Sequence, residues 1–212
     1  MTGAYRPVEP AGLPDLLAGH LDHAPLPGRA LRVAVDGPAC AQPVALAEAL
    51  VAPLRLRARP AAVIAAESFW RDASLRLEYG REDLESFAGW LDAAALLREV
   101  LGPLGPGGSG RYLPALRDAA TNRASRAAVG NAAAGEIVIV GGELLLGRGL
   151  PFDLTIHLAI SPAGRTRRTA PRWQWTLPAF DRYDAAVRPV ETADIVIRVD
   201  DPRHPAIAGP AR

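Results

Sequence analysis

The chain contains no lysine: all 24 of its basic residues are arginine. That absence excludes a Schiff-base lysine, a lysine general base and the lysine that grips phosphate in a P-loop. A chain this rich in Ala, Arg, Gly and Pro is what a GC-rich genome encodes, but the chemical exclusion holds whatever its origin. Cysteine is almost as scarce. Cys40 stands alone and cannot form an intrachain disulfide, so a cytoplasmic protein is the expectation. No apolar run approaches the roughly 18 residues of a membrane span. The start, MTGAYRPVEPAG, shows neither the basic segment nor the apolar stretch of a signal peptide. A net charge of +1 leaves no basic surface for nucleic acid. His20, His23, His157 and His204 are scattered, without cysteine or clustered carboxylates beside them, and no metal site is expected.

What is present is the balance of a core-forming globular protein, with 49% hydrophobic and 22% charged residues. Its 212 residues suit one domain. Residues 8–24 carry leucines at helical spacing and stop before Pro25 and Pro27. LRVAVD (31–36) is a buried strand, Gly37 a turn, and 44–52 the helix that follows. Further strands are expected at 61–66, 136–140, 152–160 and 193–199, with helices at 91–101 and near 162–170 and 179–188. GPLGPGGSG (102–110) reads as loop, either a linker or an exposed connection within one domain. Strands that are apolar throughout, separated by helix-length connections, predict an α/β domain of three layers, its sheet mainly parallel and covered on both faces.

The first strand–turn–helix, VAVDGPACAQPVALAEAL, has the outline of a phosphate-binding turn without its chemistry. Gly37 occupies the first glycine position of G-x-x-x-x-G-K-[ST]. The second glycine is replaced by Gln42, the lysine by Pro43 and the hydroxyl residue by Val44. Gln42 is a poor residue for a positive φ, Pro43 removes a backbone donor along with the cation, and Val44 cannot ligate Mg²⁺. What survives is the helix dipole, worth roughly 0.3–2 kcal/mol to an anion. Cys40, in this loop near a helix start, is either a small buried apolar residue or a thiol of lowered pKa.

That run does not stand alone. With ESFWR (67–71), LEYGREDLESF-AGWLDAAALLREVLGPLGPGG, IVIVGGELLL, FDLTIHLAISPAGRTRR and ADIVIRVDDPRHP, the chain resembles the uridine kinase-like branch of the P-loop nucleoside kinases over about residues 29–205. The resemblance implies a P-loop NTPase-type fold: a five-stranded, mainly parallel sheet with a nucleotide site at its carboxyl edge and an arginine-bearing lid after the fourth strand. It implies a single domain, 1–212, with an N-terminal helical extension (1–28), a loop or hairpin insertion (102–130) and a lid-like region (162–178). Gly37, Pro38, Ala39, Cys40, Ala41, Gln42, Pro43 and Val44 match the nucleotide-binding loop, and Glu67 matches the catalytic carboxylate that activates a 5′-hydroxyl.

By the same resemblance Trp70 stacks on a base or merely packs. Asp92 lies near the nucleoside or caps a helix. Asp118 belongs to a segment over the nucleoside. Arg165, Arg168 and Arg172 either hold phosphate from the lid or form a solvated basic face. The family's Walker B acid is replaced by Gly141-Gly142, with Glu143 two positions later. Trp173 and Trp175 indicate that the lid is clamped down or sits at an interface with a second copy or a protein partner.

The expected protein is therefore a pseudokinase with a nucleoside- or phosphate-type pocket for a nucleoside, nucleotide or other small anion. No resident cofactor is expected. The alternative is an active nucleoside kinase using Mg-ATP or Mg-GTP, with Glu67 as base and lid arginines in place of the lysine. Neither reading calls for nucleic acid or a membrane as partner.

Overall fold

Five apolar runs lie side by side in parallel, two of them buried along their whole length. In the computed structural model, which describes residues 5–208, the strands are β1 (Arg6–Pro7), β2 (Leu31–Asp36), β3 (Ala61–Ala65), β4 (Arg111–Tyr112), β5 (Gly130–Asn131), β6 (Ile137–Gly142), β7 (Leu154–Ala159), β8 (Ile195–Arg198) and β9 (Ala206–Ala208). The ends of the expected 1–212 domain and the first residues of its 1–28 extension lie outside the described residues. One sheet runs β1-β9-β8-β7-β2-β6-β3, and β4 and β5 form a separate antiparallel ribbon that opens and closes around the 102–130 insertion.

The sheet has seven strands rather than the expected five. The five parallel ones, β3, β6, β2, β7 and β8, are the predicted set, and β9 and β1 extend one edge antiparallel. Those two are only three and two residues long. Pro7 lies in one and Pro205 precedes the other, and their attachment is largely main-chain, as in the 2.9 Å bond from Val8 N–H to the Pro205 carbonyl. No side-chain periodicity advertises such strands.

Alternation along the strands divides the core. Leu31, Val33 and Val35 of β2 and Ile137 and Ile139 of β6 face the helices α1 (Leu13–Asp22) and α2 (Pro43–Leu56), meeting Leu17, Leu21, Leu50 and Leu54. Ala34, Val138 and Val140 face the other way, against Leu96, Val100, Leu101 and Leu104. Arg32 points to that second side and is held by Asp153 through a 2.6 Å ion pair, both side chains nearly buried. By length and composition Ala39–Leu56 is apolar enough to cross a bilayer, contrary to the sequence expectation. In this fold its Ala47, Leu50 and Leu54 are buried in the core.

The Gly/Pro stretch after residue 101 is not all loop. Helix continues from Ala93 through a π-turn at Leu97–Leu101 and on to Leu104. Pro103 is tolerated because the Glu99 carbonyl, which a helical N–H at 103 would have capped, instead accepts from Leu113 N–H at 3.0 Å. The predicted lid region comprises a helix at Pro162–Arg168, a 3₁₀ stretch at Pro171–Thr176 and the start of a helix at Leu177–Val187.

Candidate functional site

The carboxyl ends of β3 and β6, and the loop leaving β2, open onto a cavity of about 640 Å³. That volume suits an organic molecule of nucleoside size or larger. One wall is the loop from Pro38 to Val44. A second carries Glu67 and Trp70, a third Gly141, Gly142 and Glu143, and the lid closes it with Arg168 and Trp173.

The loop is a closed turn. Ala39–Ala41 form a 3₁₀ turn, and Gln42 has φ 61° and ψ 52°. Gln42 thus adopts the left-handed conformation expected only of glycine here, at a cost on the order of 1 kcal/mol. Pro43 then opens α2 in the position where a missing N–H costs nothing. Four of the remaining donors are engaged inside the protein, and the N–H groups of Cys40, Val44 and Ala45 are not. Gly37 N–H goes to the Gly142 carbonyl at 3.1 Å, Ala41 N–H to Pro38 at 2.7 Å and Gln42 N–H to Ala39 at 3.0 Å. Ala39 N–H, 2.6 Å from Glu143 Oε1, is taken by a carboxylate of the protein itself.

That position is costly for Glu143. Burial pushes its carboxyl up to about 7; the Ala39 N–H opposes the rise, and the nearby Asp36 and Glu67 charges add to it. The two glycines before it are there for space. A Cβ on Gly141 would lie 3.0 Å from Val44 Cα, and one on Gly142 would collide with the Ala66 methyl. An acid cannot occupy either position unless α2 or the β3 turn moves.

Of the other predicted site residues, Glu67 and Trp70 line the cavity, Glu67 exposed in the 3₁₀ turn Ala66–Phe69. Asp92 and Asp118 do not line it. Asp92 Oδ1 accepts from Ala95 N–H at 2.9 Å and caps the helix that follows. Asp118 is exposed and accepts from Thr121 N–H at 2.8 Å, which holds its carboxyl below the usual range. Asp92→Ala is accordingly expected to lower stability by about 1 kcal/mol, the worth of an N-cap, in urea denaturation at constant m.

The three arginines are not gathered at the cavity. Arg165 is buried and ion-paired to Asp181 and Asp184 at 2.6 and 3.0 Å. Arg172 is exposed outside it. Only Arg168 lines it, donating to the carbonyls of Cys40 and Val199. Cys40 is partly buried in the wall.

Sequence reasoning singled out Trp70, Trp173 and Trp175 but missed the rest of one group and the whole of another. The first is aromatic. Trp90 stands 5.3 Å from Trp70, 6.3 Å from Trp173 and 6.0 Å from Trp175, ring centre to ring centre, with Phe87 against both Trp90 and Trp175. The tryptophan-bearing lid is thus clamped onto its own chain. The second is polar. Asp36, wholly buried at the end of β2, accepts from Leu145 N–H at 2.8 Å and Tyr183 O–H at 3.0 Å, and pairs with His157 Nδ1 at 2.7 Å. Burial and the Asp36 charge keep the Tyr183 hydroxyl protonated, well above the ordinary phenol range. His157 and Tyr183 line a small neighbouring pocket of about 130 Å³. A charged residue closing the apolar run VAVD and a histidine inside LTIHLA are the available signals.

No family model matches the chain, and no curated protein matches it. Solved structures do. A Bacillus stearothermophilus protein described as a possible uridine kinase superposes with a TM-score of 0.70 at 21% identity, over 86% of this chain and 96% of its own. A candidate fructose transport system kinase from a Silicibacter species superposes at 0.57, also at 21% identity, over 88% and 95%. The chain therefore has the uridine kinase-like P-loop kinase fold, a likeness of architecture.

Proposed function

We propose that this uridine kinase-like P-loop fold serves as a pseudokinase: a protein that binds a phosphate-free small molecule of nucleoside size for sensing or scaffolding, without phosphoryl transfer. The observation that carries the reading is the Glu143 carboxylate on Ala39 N–H. A loop that would cradle phosphate already holds an anion covalently tied to the protein.

Mg-ATP does not fit these residues. Pro38 and Pro43 have no N–H to offer, Val44 no side-chain oxygen, and Gly141-Gly142 no carboxylate for the metal. Phosphoryl transfer depends almost wholly on positioning and charge stabilisation, and both are missing from this loop. An active kinase with Glu67 as base would need several lid arginines at the phosphates. Arg165 is engaged with two aspartates and Arg172 lies elsewhere, which leaves Arg168 alone.

Calorimetric titration with Mg-ATP, Mg-GTP, UMP and uridine, beside a phosphotransfer assay, tests the reading. The expected result is no triphosphate binding and no turnover. Micromolar Mg-ATP binding with turnover would overturn it. Restoring Gln42→Gly, Pro43→Lys and Val44→Thr together with Glu143→Gln is expected to bring measurable triphosphate affinity back.

A further inference from the structure

The charge of the cavity is opposite to that of a nucleotide site. Glu48, Glu67 and Glu143 stand in its walls against one guanidinium, Arg168, two of whose donors go to main-chain carbonyls. The rest of the wall is strongly aromatic, with Trp70, Phe87, Trp90, Trp173 and Phe180. Such rings attract cations through their negative faces, and carboxylates beside them add a Coulombic term in a partly dehydrated space.

The protein already uses these rings in that way. The Arg76 guanidinium lies 5.0 Å from the centre of Trp70 and 4.8 Å from that of Trp90, although Arg76 is not part of the cavity wall. Aromatic rings and carboxylates sharing one cavity wall specify an occupant with a positive charge.

We propose that the cavity binds an organic ammonium compound: the cation sits between the aromatic rings and the Glu67 and Glu143 carboxylates. This rests on the binding-protein reading above and names the class of its ligand. The occupant also relieves the repulsion between Glu143 and Glu67, which share the cavity wall. Aromatic contacts and counter-charge together distinguish such a ligand from a neutral nucleoside of the same size.

The test uses benzoylcholine and its uncharged carbon isostere, dimethylbutyl benzoate, which share shape, ring and ester. All four tryptophans of the chain belong to the cluster at this cavity, so intrinsic fluorescence reports occupancy directly, with calorimetry as the second readout. The expected result is saturable quenching by the cation with at least tenfold higher affinity than the isostere. Glu67→Gln, at an exposed position, and Glu67→Gln/Glu143→Gln should each weaken the cation, the double variant at least tenfold, while circular dichroism stays unchanged.

Equal binding of cation and isostere, no binding of either, or a double variant that binds the cation as well as the natural chain would overturn the proposal. Uridine binding more tightly than every cation would do the same. Mg-ATP is titrated in parallel: its binding with turnover sinks the pseudokinase reading, whereas silence from both Mg-ATP and the cations sinks only the ammonium ligand.

Discussion

Replacing Asp36 by alanine is expected to cost about 4 kcal/mol of stability, well above the loss expected for the Asp92 cap. Three donors converge on that carboxylate from three separate places: Leu145 N–H just beyond β6, the His157 ring in β7 and the Tyr183 hydroxyl in the helix Leu177–Val187. Leu145 and His157 cannot turn to bulk water, since both are buried, whereas Tyr183 is half-buried beside the small pocket. Each stranded donor costs on the order of 1–3 kcal/mol, and partial rescue by water entering the adjacent small pocket keeps the total below the simple sum.

Asp36→Asn preserves one acceptor oxygen for Leu145 N–H but turns an amide toward a donor, so about half the loss should remain. Urea unfolding followed by fluorescence checks both variants. A loss below about 1 kcal/mol for the alanine variant would show that the three donors find other partners. Natural domains are stable by only about 5–15 kcal/mol, so the alanine variant should also be visibly less soluble on expression at about 37 °C.

The second large effect has the opposite sign. Glu143→Gln should stabilise the protein at neutral and alkaline pH. The folded carboxyl titrates near 7, against an ordinary value of 4.5. Below 4.5 the group is protonated whether the chain is folded or not, and contributes nothing to the pH dependence. As pH rises through 4.5 the unfolded chain ionises first, so stability falls, and the loss is complete once pH has passed the folded value near 7. The deficit is on the order of 3 kcal/mol, and glutamine removes it while keeping an oxygen for Ala39 N–H. At about pH 8 the variant should melt several degrees above the natural chain, and near pH 4 the two should coincide. A variant less stable than the natural chain at about pH 8 would show that the Ala39 bond outweighs the burial of charge.

The parallel sheet was legible because its strands are buried on both faces, which leaves a nearly continuous apolar run such as IVIV in β6. The edge strands β1 and β9 were not, since main-chain pairing carries little side-chain signature. Pro103 reads as a stop and is helical, because a distant backbone N–H, that of Leu113, satisfies the carbonyl its ring leaves free. Within the site, Glu67 and Trp70, singled out by the family resemblance, do line the cavity. Asp92 and Asp118 look alike in sequence to carboxylates that touch a ligand, and only their bonds to Ala95 and Thr121 reveal caps and turns. The arginines of the lid show the same limit, since a guanidinium's partner is chosen by the fold.

The missing lysine was decided by sequence alone. So was the parallel α/β architecture, for both depend on residue type and local pattern. The tertiary structure decided what surrounds the loop after β2. It carried Glu143 across to Ala39 N–H, over a separation of 104 residues, and gathered four tryptophans from two distant stretches around an acidic cavity. A side chain's partner and its desolvation depend on contacts between segments far apart in the chain. The sign of charge in this cleft therefore became visible only once those segments were brought together.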